Sequence, residues 1–439
     1  MVRSKDVLTQ DFKALPYWWE AAQPKQIRVT SPVDSTDVAI VGSGYAGLSA
    51  ALELARSGTK TIVFDKEAIG FGASTRNGGL LSTEPKFAGK NELTHRFGGE
   101  LAERILEDGR QSFSTLASTI KQEGINCALE RNGRFVGAHC PRAYQKLAGR
   151  LRQYEKEGLS GFELIPRERQ HEIIGDSNYY YGGLYEPDGG SLHPGLYHAG
   201  LVNACLRANV ALSANTDVMS IKRNTSGFVV STSLGEVTCR EVVIATNGYT
   251  GALAPWQRRR VVPVGSYIVV TEVLGEALVE SMFRGFCTMS NTQRVLFYYR
   301  PTPDHKRVMF GGRANFTAVD HVTFATRLHD YMSRVYPQLR DTKISHAWTG
   351  NVAFSFDYLP HMGINEGVHY LMGCNGSGVA MMTYLGRQTA LKILDKQNRL
   401  CAFEEIPFNT HIGYHGKPWF LPFIGNWYRL LDVFDRMMI

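Results

Sequence analysis

The sequence lacks the features that mark exported, membrane-spanning and metal-binding chains. It contains no run of about 18 apolar residues, the length that a transmembrane helix needs. Its first thirty residues carry Asp6, Asp11 and Glu20 and do not show the basic-then-apolar order of a secretion signal. Its seven cysteines form no CxxC pair and no histidine–cysteine cluster with zinc spacing. We therefore expect a cytoplasmic protein with reduced thiols, no transmembrane segment and no bound metal.

The sequence also lacks low-complexity segments and a localised charge bias. The net charge is +7, and the basic excess is spread along the chain apart from Arg258, Arg259 and Arg260. No nucleic-acid-reading motif accompanies this charge, so we expect a solvated basic face and no nucleic-acid partner. With 44% hydrophobic and 20% charged residues over 439 positions, the composition fits a globular chain of two packed domains.

A strand, a glycine turn, a helix and a second strand follow one another near the N-terminus. The apolar run 38–41 is typical of a buried parallel strand, and apolar residues recur at helical spacing from Ala46 to Gly58. The turn between them, GSGYAG at 42–47, fits the GxGxxG pattern. Asp65 ends the second strand. This order predicts a dinucleotide-binding unit.

Each residue type in this unit has a chemical reason. The first glycine permits the tight turn, the second lets the backbone approach a pyrophosphate, and the third lets the helix pack closely on the strand. The helix N-terminus offers N–H donors and a positive dipole to phosphates, and Asp65 can accept hydrogen bonds from a ribose. The alternative is a glycine-rich turn that binds nothing, with Asp65 as a cap. The motif alone does not separate FAD from NAD.

Residues 70–79, GFGASTRNGG, resemble the segment that follows the ribose-binding acid in the D-amino-acid oxidase-like flavoprotein superfamily. The resemblance implies that this segment lies beside the pyrophosphate and the isoalloxazine ring of FAD. Its small residues give access to backbone N–H groups, and Ser74, Arg76 and Asn77 supply donors to an anionic cofactor. The alternative is a flexible surface loop.

Two downstream segments extend this resemblance. VVIATNG at 242–248 resembles the strand-to-loop ATG element of two-dinucleotide-fold flavoproteins, and Val218 occupies the position whose backbone usually meets the adenine. GCNGSGV at 373–379 resembles the glycine-rich turn before the final helix, whose N-terminus points at the flavin. A helix dipole there stabilises negative charge on the reduced flavin. The resemblance therefore implies FAD rather than NAD.

The resemblance is closest to the gamma-glutamylputrescine oxidase group of this superfamily. The motifs that carry it are WTG at 348–350, DYLPHMG at 357–363, YYRP at 298–301 with Gly311 and Gly312, GGSLHP at 189–194, and PWFLPF at 418–423. It implies a small-molecule amine substrate, whose C–N bond is oxidised to an imine, and O2 as the electron acceptor.

The chain departs from its relatives in three places. The sarcosine-oxidase branch tethers its flavin through a cysteine shortly after the tryptophan of the WxG motif, whereas residues 348–356 contain no cysteine. FAD is therefore expected to be noncovalent. Ser377 and Cys374 replace a histidine and a common aromatic residue near the flavin.

Cofactor binding is assigned by motif and resemblance to one set of residues. These are Gly42, Gly44, Tyr45, Ala46, Gly47, Asp65, Lys66, Gly72, Ala73, Ser74, Arg76, Asn77, Gly78, Gly79, Val218, Ala245, Thr246, Gly248, Trp348, Gly350, Asp357, Gly376, Ser377, Gly378 and Val379.

The candidates for direct work on the substrate are Tyr298, Tyr299, Arg300 and His193. Phenols and a guanidinium can bind the amine or a carboxylate without titrating at neutral pH, and histidine can accept a proton. Adjacent strand residues point to opposite faces, so Tyr298 and Tyr299 cannot both face a flavin. The alternative is that the tyrosines pack in a sheet, Arg300 pairs with a structural acid, and His193, like His361, is structural.

The predicted fold is α/β, α+β overall, with a Rossmann-type FAD-binding domain interleaved with a β-rich substrate domain. The predicted FAD domain comprises residues 36–90, 190–255 and 345–405, and the substrate domain 91–189 and 256–344. Residues 1–35 are predicted as an N-terminal lead and 406–439 as a C-terminal tail and helix. Oligomeric state is left open.

Two other functions remain open. The chain could be an amino-acid or imino-acid dehydrogenase that passes electrons to quinone, with the aromatic segment 419–427 docked on a membrane surface. It could also be a noncatalytic flavin-binding protein, whose flavin no substrate would bleach.

Overall fold

A computed structural model describes residues 7–27, 34–85, 87–313 and 319–437. Its strands, in chain order, are β1 Leu8–Lys13, β2 Ser35–Val41, β3 Thr61–Phe64, β4 Leu80–Leu81, β5 Arg134–Gly137, β6 Glu163–Ile165, β7 Gly183–Glu186, β8 Gly190–Ser191, β9 Ala211–Ser213, β10 Val218–Asn224, β11 Gly227–Thr232, β12 Gly235–Ile244, β13 Val261–Thr271, β14 Thr288–Asn291, β15 Phe297–Pro301, β16 Val308–Gly312, β17 Ile344–Ser355, β18 His361–Asn365 and β19 Val368–Met372. Its α-helices are α1 Tyr45–Arg56, α2 Lys90–Phe97, α3 Gly99–Glu123, α4 Pro141–Lys156, α5 His171–Ile174, α6 Pro194–Arg207, α7 Pro255–Arg258, α8 Glu276–Met282, α9 His321–Val335, α10 Gly378–Ile393, α11 Ala402–Glu405 and α12 Leu421–Met437. Short 3₁₀ turns important for the site span Tyr17–Glu20, Ala73–Thr75 and Asn247–Tyr249.

The first large sheet has eight strands, in the order β10-β11-β12-β2-β3-β9, with β19 paired to the end of β12 and β18 paired to β19. Strands β12, β2, β3 and β9 run parallel. Val41, at the end of β2, lies opposite both Ile244 of β12 and Phe64 of β3. The loops that follow these three strands therefore meet at one edge of the sheet.

Helices and a β-meander cover the two faces of this sheet. Val38 and Ile40 belong to a core shared with α1, α3, α6 and α10. The alternating residues Ala39 and Val41 pack instead with Phe228 of the β10–β12 meander. Strands buried on both faces are apolar throughout, which explains the uninterrupted run at 38–41.

The second large sheet has nine strands, in the order β1-β17-β13-β16-β15-β14-β5-β7-β6. Its long central pair runs antiparallel from Val261 opposite Ser355 to Val270 opposite His346. Tyr299 of β15 packs with Phe324 of α9 in the core of this sheet, whereas Tyr298 packs in a different cluster with Trp18. The sheet thus presents one set of alternating side chains to α9 and the other to the site described below.

The α/β fold class predicted from the sequence is confirmed. Apolar residues at helical spacing predict helices at 194–207 and 379–394, and the run 295–299 predicts a strand. Helix α6 has the predicted bounds, α10 begins and ends one residue before the predicted bounds, and the strand lies at 297–301. The segment predicted as the N-terminal lead contains β1, which pairs in parallel with β17 at the sheet edge. The division into two interleaved domains stays a prediction.

Candidate cofactor and active site

The turn after β2 has the shape that the three glycines predict. Gly42 has φ +108°, and a Cβ there would lie 2.8 Å from the carbonyl oxygen of Ala245. A Cβ at Gly47 would lie 2.0 Å from the carbonyl oxygen of Gly42. Both contacts are with backbone, so neither position accepts a larger residue without moving β12 or the turn.

The N-terminus of α1 opens at this turn without a side-chain cap. Its N-cap residue is Gly44, which has no side chain to accept a hydrogen bond. The N–H of Tyr45 donates to Ser74 Oγ at 2.9 Å. The next two N–H groups of a first helical turn have no intrahelical acceptor, so they and the helix dipole can receive a phosphate.

Asp65 lies where the loops after β2 and β3 meet. Its Oδ2 accepts hydrogen bonds from the Ser43 N–H, at 3.0 Å, and from the Ser43 hydroxyl, and its Oδ1 accepts from the Glu67 N–H at 3.0 Å. Burial raises the pKa of the Asp65 carboxyl, against these hydrogen bonds. The carboxylate therefore braces the glycine turn while remaining half-buried, and its free lone pairs can accept from a ribose.

The other residues predicted to bind the nucleotide part of the cofactor lie in the segments around Asp65 and after β12. The exposed Lys66 ammonium lies 3.7 Å from Asp217 Oδ2. Val218 begins β10 directly after that acid. Thr246 and Gly248 follow β12. A Cβ at Gly42 would lie 3.4 Å from the backbone nitrogen of Thr246, and one at Gly248 would lie 3.2 Å from the carbonyl oxygen of Asn351.

The loop after Gly72 holds itself together with the side chains predicted to serve a cofactor. Arg76 Nε donates to the Phe71 carbonyl at 2.7 Å, and its Nη1 donates to the Thr349 carbonyl at 3.2 Å. Asn77 donates to the carbonyls of Ala73 and Ser74. The hydrogen bonds of these side chains shape the loop backbone, and their role as cofactor donors stays a prediction.

Two tryptophans from the N-terminal 3₁₀ turn fix this loop, and sequence reasoning missed their role. The Trp18 indole N–H donates to the Asn77 carbonyl at 2.8 Å, and the Trp19 indole N–H donates to Thr75 Oγ1 at 2.9 Å. Trp348 adds a third indole bond, to the Arg76 carbonyl at 2.8 Å. The adjacent aromatic residues at 17–19 were the only sequence signal.

A cavity of about 1150 Å³, part of it open to solvent, lies between the two sheets. Of the predicted residues, it is lined by Tyr45, Ala73, Ser74, Arg76, Asn77, Gly78, Gly79, Tyr298, Gly350, Gly376, Gly378 and Val379. The structure thus brings the loop at 73–79, the WTG motif and the N-terminus of α10 to one cavity. Because Gly376 and Gly378 line it, that helix N-terminus, with the positive end of the helix dipole, faces the cavity.

Tyr298 alone of the four substrate candidates lines this cavity. Its hydroxyl is 2.8 Å from Ser266 Oγ, and burial raises the pKa of the phenol to about 12, so it stays neutral near pH 7. Tyr299 points to the opposite face of β15, where its hydroxyl donates to the Tyr180 hydroxyl at 2.8 Å. The assignment of Tyr299 to substrate binding is therefore corrected, because of strand alternation.

Arg300 and His193 are buried supports and do not reach the cavity. Arg300 donates to the carbonyls of Gly78 and Leu192 and to Ser191 Oγ, at 2.7–2.9 Å. His193 caps α6 by accepting the Leu196 N–H at 3.1 Å. Both assignments to substrate chemistry are corrected, because these polar atoms are used within the fold.

Two further predicted cofactor residues lie outside the cavity wall. Asp357 Oδ1 accepts from the Leu359 N–H and lies 3.0 Å from His361 Nε2, so this acid orders the turn between β17 and β18. Ser377 precedes α10 without a side-chain cap bond.

The sequence missed several residues of the cavity wall. They are Leu80, Asn247, Val264, Gly265, Ser266, Leu296, Arg313, Asn351, Val352, Phe354 and Met382, whereas Cys374, placed near the flavin from the sequence, also lines the wall. Most come from β13, from β17 beyond the WTG motif, and from the positions just before β15 and just after β16, and these positions belong to no motif. Asp, Glu, His and Lys are absent from the wall within the part of the chain that the structure describes.

One group in the described ranges could hold a metal ion, and none of its residues lines this cavity. It consists of His139, Asp432 and Asp435. Arg294 already lies within 3.2 Å of Asp432 Oδ1 and 2.6 Å of Asp435 Oδ2, so an internal cation occupies these carboxylates. The absence of a metal stays a prediction. No described helix is both long and apolar enough to span a bilayer.

The chain matches the family model of DAO, FAD dependent oxidoreductase, over residues 37–391. It is 29% identical to the gamma-glutamylputrescine oxidoreductase of Escherichia coli, over 91% of this chain and 93% of that one. It is 28% identical to the probable oxidoreductase OrdL of Haemophilus influenzae, over 88% and 90%. The crystal structure of glycine oxidase from Geobacillus kaustophilus superposes with a TM-score of 0.74 at 22% identity, covering 87% of this chain and all of that one.

Proposed function

This chain belongs to the DAO family of FAD-dependent oxidoreductases, and from that premise we propose that it oxidises the C–N bond of a primary or secondary amine. The product is an imine, which water hydrolyses. Two electrons and two protons leave the amine, and O2 takes them up as H2O2. The gamma-glutamylputrescine oxidoreductase to which the chain is similar supports a polyamine-derived or amino-acid-derived substrate.

The observation that carries the proposal is the cavity. Its wall contains both the loop at 73–79 and uncharged hydrogen-bonding groups. FAD, when bound, supplies the two-electron acceptor for the C–H bond beside nitrogen. The residues that fit it are the uncapped N-terminus of α1, Asp65, the loop at 73–79 and the N-terminus of α10. Ser266 and Tyr298 can orient an amine on the opposite wall, since both are neutral donors and acceptors.

No lining acid or base of the described chain is placed to take a proton from an ammonium substrate. The amine must therefore bind in its neutral form or lose its proton to solvent water. We expect anaerobic flavin reduction to accelerate as pH rises through the pKa of the substrate amine. Tyr298→Phe should leave this pH profile unchanged, because the phenol titrates far above it.

The decisive experiment is an anaerobic panel of amines and amino acids, followed by loss of oxidised-flavin absorbance. An amine that bleaches the flavin, with H2O2 formed on admission of air, supports the proposal. If 2-hydroxy acids bleach it and every amine fails, the C–N assignment is rejected.

Noncovalent attachment of FAD is part of the proposal. Residues 348–356 contain no cysteine, and we expect acid precipitation to release a yellow supernatant. A yellow pellet that resists extraction would point to a covalent bond, with Cys374 on the cavity wall as the first residue to replace.

A second candidate is a dehydrogenase that delivers electrons to quinone at a membrane surface. It is favoured by α12, where Phe423, Trp427, Phe434 and Met437 share one face and are 51–73% exposed. An amphipathic helix with such a face can lie in a lipid interface. Reduction of a quinone analogue in vesicles without H2O2 formation would favour this candidate, and rapid H2O2 formation by vesicle-free protein would favour the oxidase.

A further inference from the structure

Two long segments of the sequence lack acidic residues. Residues 242–271 contain no Asp or Glu and include the basic run at 258–260. Residues 406–431, which continue into the first part of α12, also contain no acid but include Lys417 and Arg429. Basic residues without acidic neighbours produce a positive potential. A surface that both segments share will therefore attract anions.

The structure packs these two segments against each other. Arg260 Nε donates to the Phe408 carbonyl at 2.7 Å, and the Tyr414 hydroxyl donates to the Val261 carbonyl at 2.7 Å. The ring centroid of Phe420, the residue before α12, lies 5.8 Å from that of Tyr414. The basic run, distant in sequence, thus adjoins the aromatic segment that leads into α12.

Two arginines of the run and Lys417 have charges without partners. Arg259 and Lys417 are exposed. Arg258 is partly buried against Gly416, at which a Cβ would lie 2.4 Å from Arg258 Cγ. Within the described ranges none of these three cations forms an ion pair or a side-chain hydrogen bond. Three positive charges therefore remain available to an anionic partner.

Large apolar side chains project from the same part of the molecule. Ile412, in the loop before α12, is fully exposed, and Trp419, Phe423 and Trp427 are 57–73% exposed. Phe423 and Trp427 are four residues apart in α12 and therefore share a face. Exposed apolar side chains in such a group mark a binding surface. The basic–aromatic surface, as we call it, consists of Arg258, Arg259, Lys417, Ile412, Trp419, Phe423 and Trp427.

The combination of cations and apolar side chains determines which partner fits. A two-fold contact with a second copy would bring the cations of both copies together with no acid from either. A nucleic acid would pair with the cations but offers no apolar environment to Ile412 and Phe423. An anionic bilayer satisfies both groups, because its phosphates attract Arg and Lys, and Trp and Phe enter the boundary between headgroups and acyl chains.

We propose that the basic–aromatic surface docks this protein on bilayers that contain anionic phospholipids. The inference goes beyond the proposed reaction, because docking needs no substrate and is the same whether O2 or a quinone takes the electrons. Docking also brings the cavity close to the bilayer. Tyr428 of α12 hydrogen bonds with Tyr358 and acts electrostatically on Arg313, which lines the cavity.

The test measures co-sedimentation of the FAD-loaded protein with two kinds of vesicle. One kind is phosphatidylcholine alone, and the other is phosphatidylcholine and phosphatidylglycerol in equal parts. The joint change Arg259→Gln and Lys417→Gln should weaken binding to the anionic vesicles by about 30-fold, or about 2 kcal/mol at about 1 kcal/mol for each basic residue. The joint change Arg284→Gln and Lys121→Gln, at two other exposed cations, should leave binding unchanged.

A second pair of variants tests the apolar part of the surface. Phe423→Ser should weaken binding to the anionic vesicles by about tenfold or more, since a buried apolar side chain contributes about 1.5 kcal/mol or more. Leu234→Ser removes an apolar side chain that is 53% exposed at the turn between β11 and β12, and should have no effect. The FAD content of every variant verifies that it is folded.

Equal binding of the unaltered protein to both kinds of vesicle overturns the inference, as does unchanged binding in the Arg259→Gln and Lys417→Gln variant. If the unaltered protein binds neither vesicle and sediments as a dimer that Phe423→Ser dissociates, the surface joins two copies of the chain and the inference is wrong. If no amine bleaches the flavin while vesicle binding still depends on these residues, the proposed function fails and the docking surface stands.

Discussion

Two buried histidines, His193 and His198, contribute to the loss of folding stability at acid pH. Burial, and for His193 the neighbouring Arg300, lower the pKa of His193 and His198 to about 4. Between pH 6.5 and 4 the unfolded chain binds protons that the folded chain does not, so stability falls on acidification through this window. Each histidine can contribute up to about 3 kcal/mol of that loss.

We expect His193→Asn to reduce the pH dependence of the free energy of unfolding between pH 6.5 and 4. Asparagine can still accept the Leu196 N–H as an N-cap but does not titrate. Urea unfolding of the FAD-loaded protein at several pH values measures it. An unchanged slope would show that His193 takes up its proton in the fold as readily as in the unfolded chain.

Asp65 is the residue whose loss should be felt most directly at the cofactor. Asp65→Ala removes a predicted ribose acceptor and the brace on Ser43. We expect FAD affinity to fall by about tenfold or more, from a loss on the order of 1.5–3 kcal/mol. Equilibrium dialysis against FAD measures the loss, with Asp37→Ala, at an ion pair near the start of β2, as the control. If folded Asp65→Ala protein binds FAD as tightly as the unaltered protein, Asp65 does not bind the cofactor.

At the scale of elements, the N-terminal 3₁₀ turn acts as a clamp on the flavin-side loop. Trp18→Phe keeps the buried ring but deletes the donor to the Asn77 carbonyl. We expect weaker FAD retention, by roughly five- to a hundredfold for a carbonyl left unpaired at about 1–3 kcal/mol. FAD titration of the apoprotein measures it, with the exposed Trp419→Phe as the control. Identical affinities would mean that the loop holds its shape without the turn.

Elements with a local signal were predictable and contacts between distant elements were not. The glycine turn, α1, α6 and α10 follow from spacing within a dozen residues, because turn sterics and helix period are local. Trp18 meets Asn77 across 59 residues, and Ser266 meets Tyr298 across 32. Arg313 belongs to no motif, and only sheet pairing brings it to the cavity. Tyr299 and Arg300 were wrongly assigned to the substrate site, because their motif gives a position along β15 but does not say to which face of the sheet each side chain points.

At the scale of the whole molecule, one acid joins the C-terminal helix to the nine-stranded sheet. Asp432 is buried, and its carboxylate accepts the backbone N–H groups of Arg294 and Val295 at 3.1 and 3.0 Å. Asp432→Ala leaves these donors unpaired, at about 1–3 kcal/mol each.

We therefore expect Asp432→Ala to release α12 while FAD stays bound. Limited proteolysis should cut within 421–437 much faster than in the unaltered protein, because local opening follows local stability. Asp330→Ala, which breaks an exposed ion pair on α9, is the matched control. Equal cleavage rates would show that apolar packing alone holds the helix.

The pairing of β2 with β12 and the contact of α1 with α10 also determine how late during synthesis the cofactor site can form. The glycine turn at 42–47 is complete only when Ala245 lies against it, and the N-terminus of α10 arrives roughly 330 residues after the turn, or on the order of 20–70 s later at about 5–20 residues per second. Until β12 has been made, β2 can pair with β3 alone, and one of its two edges lacks a partner strand. Flavin cannot stabilise the growing chain before α10 has been made, so the nascent protein must be kept from aggregating by other means until then.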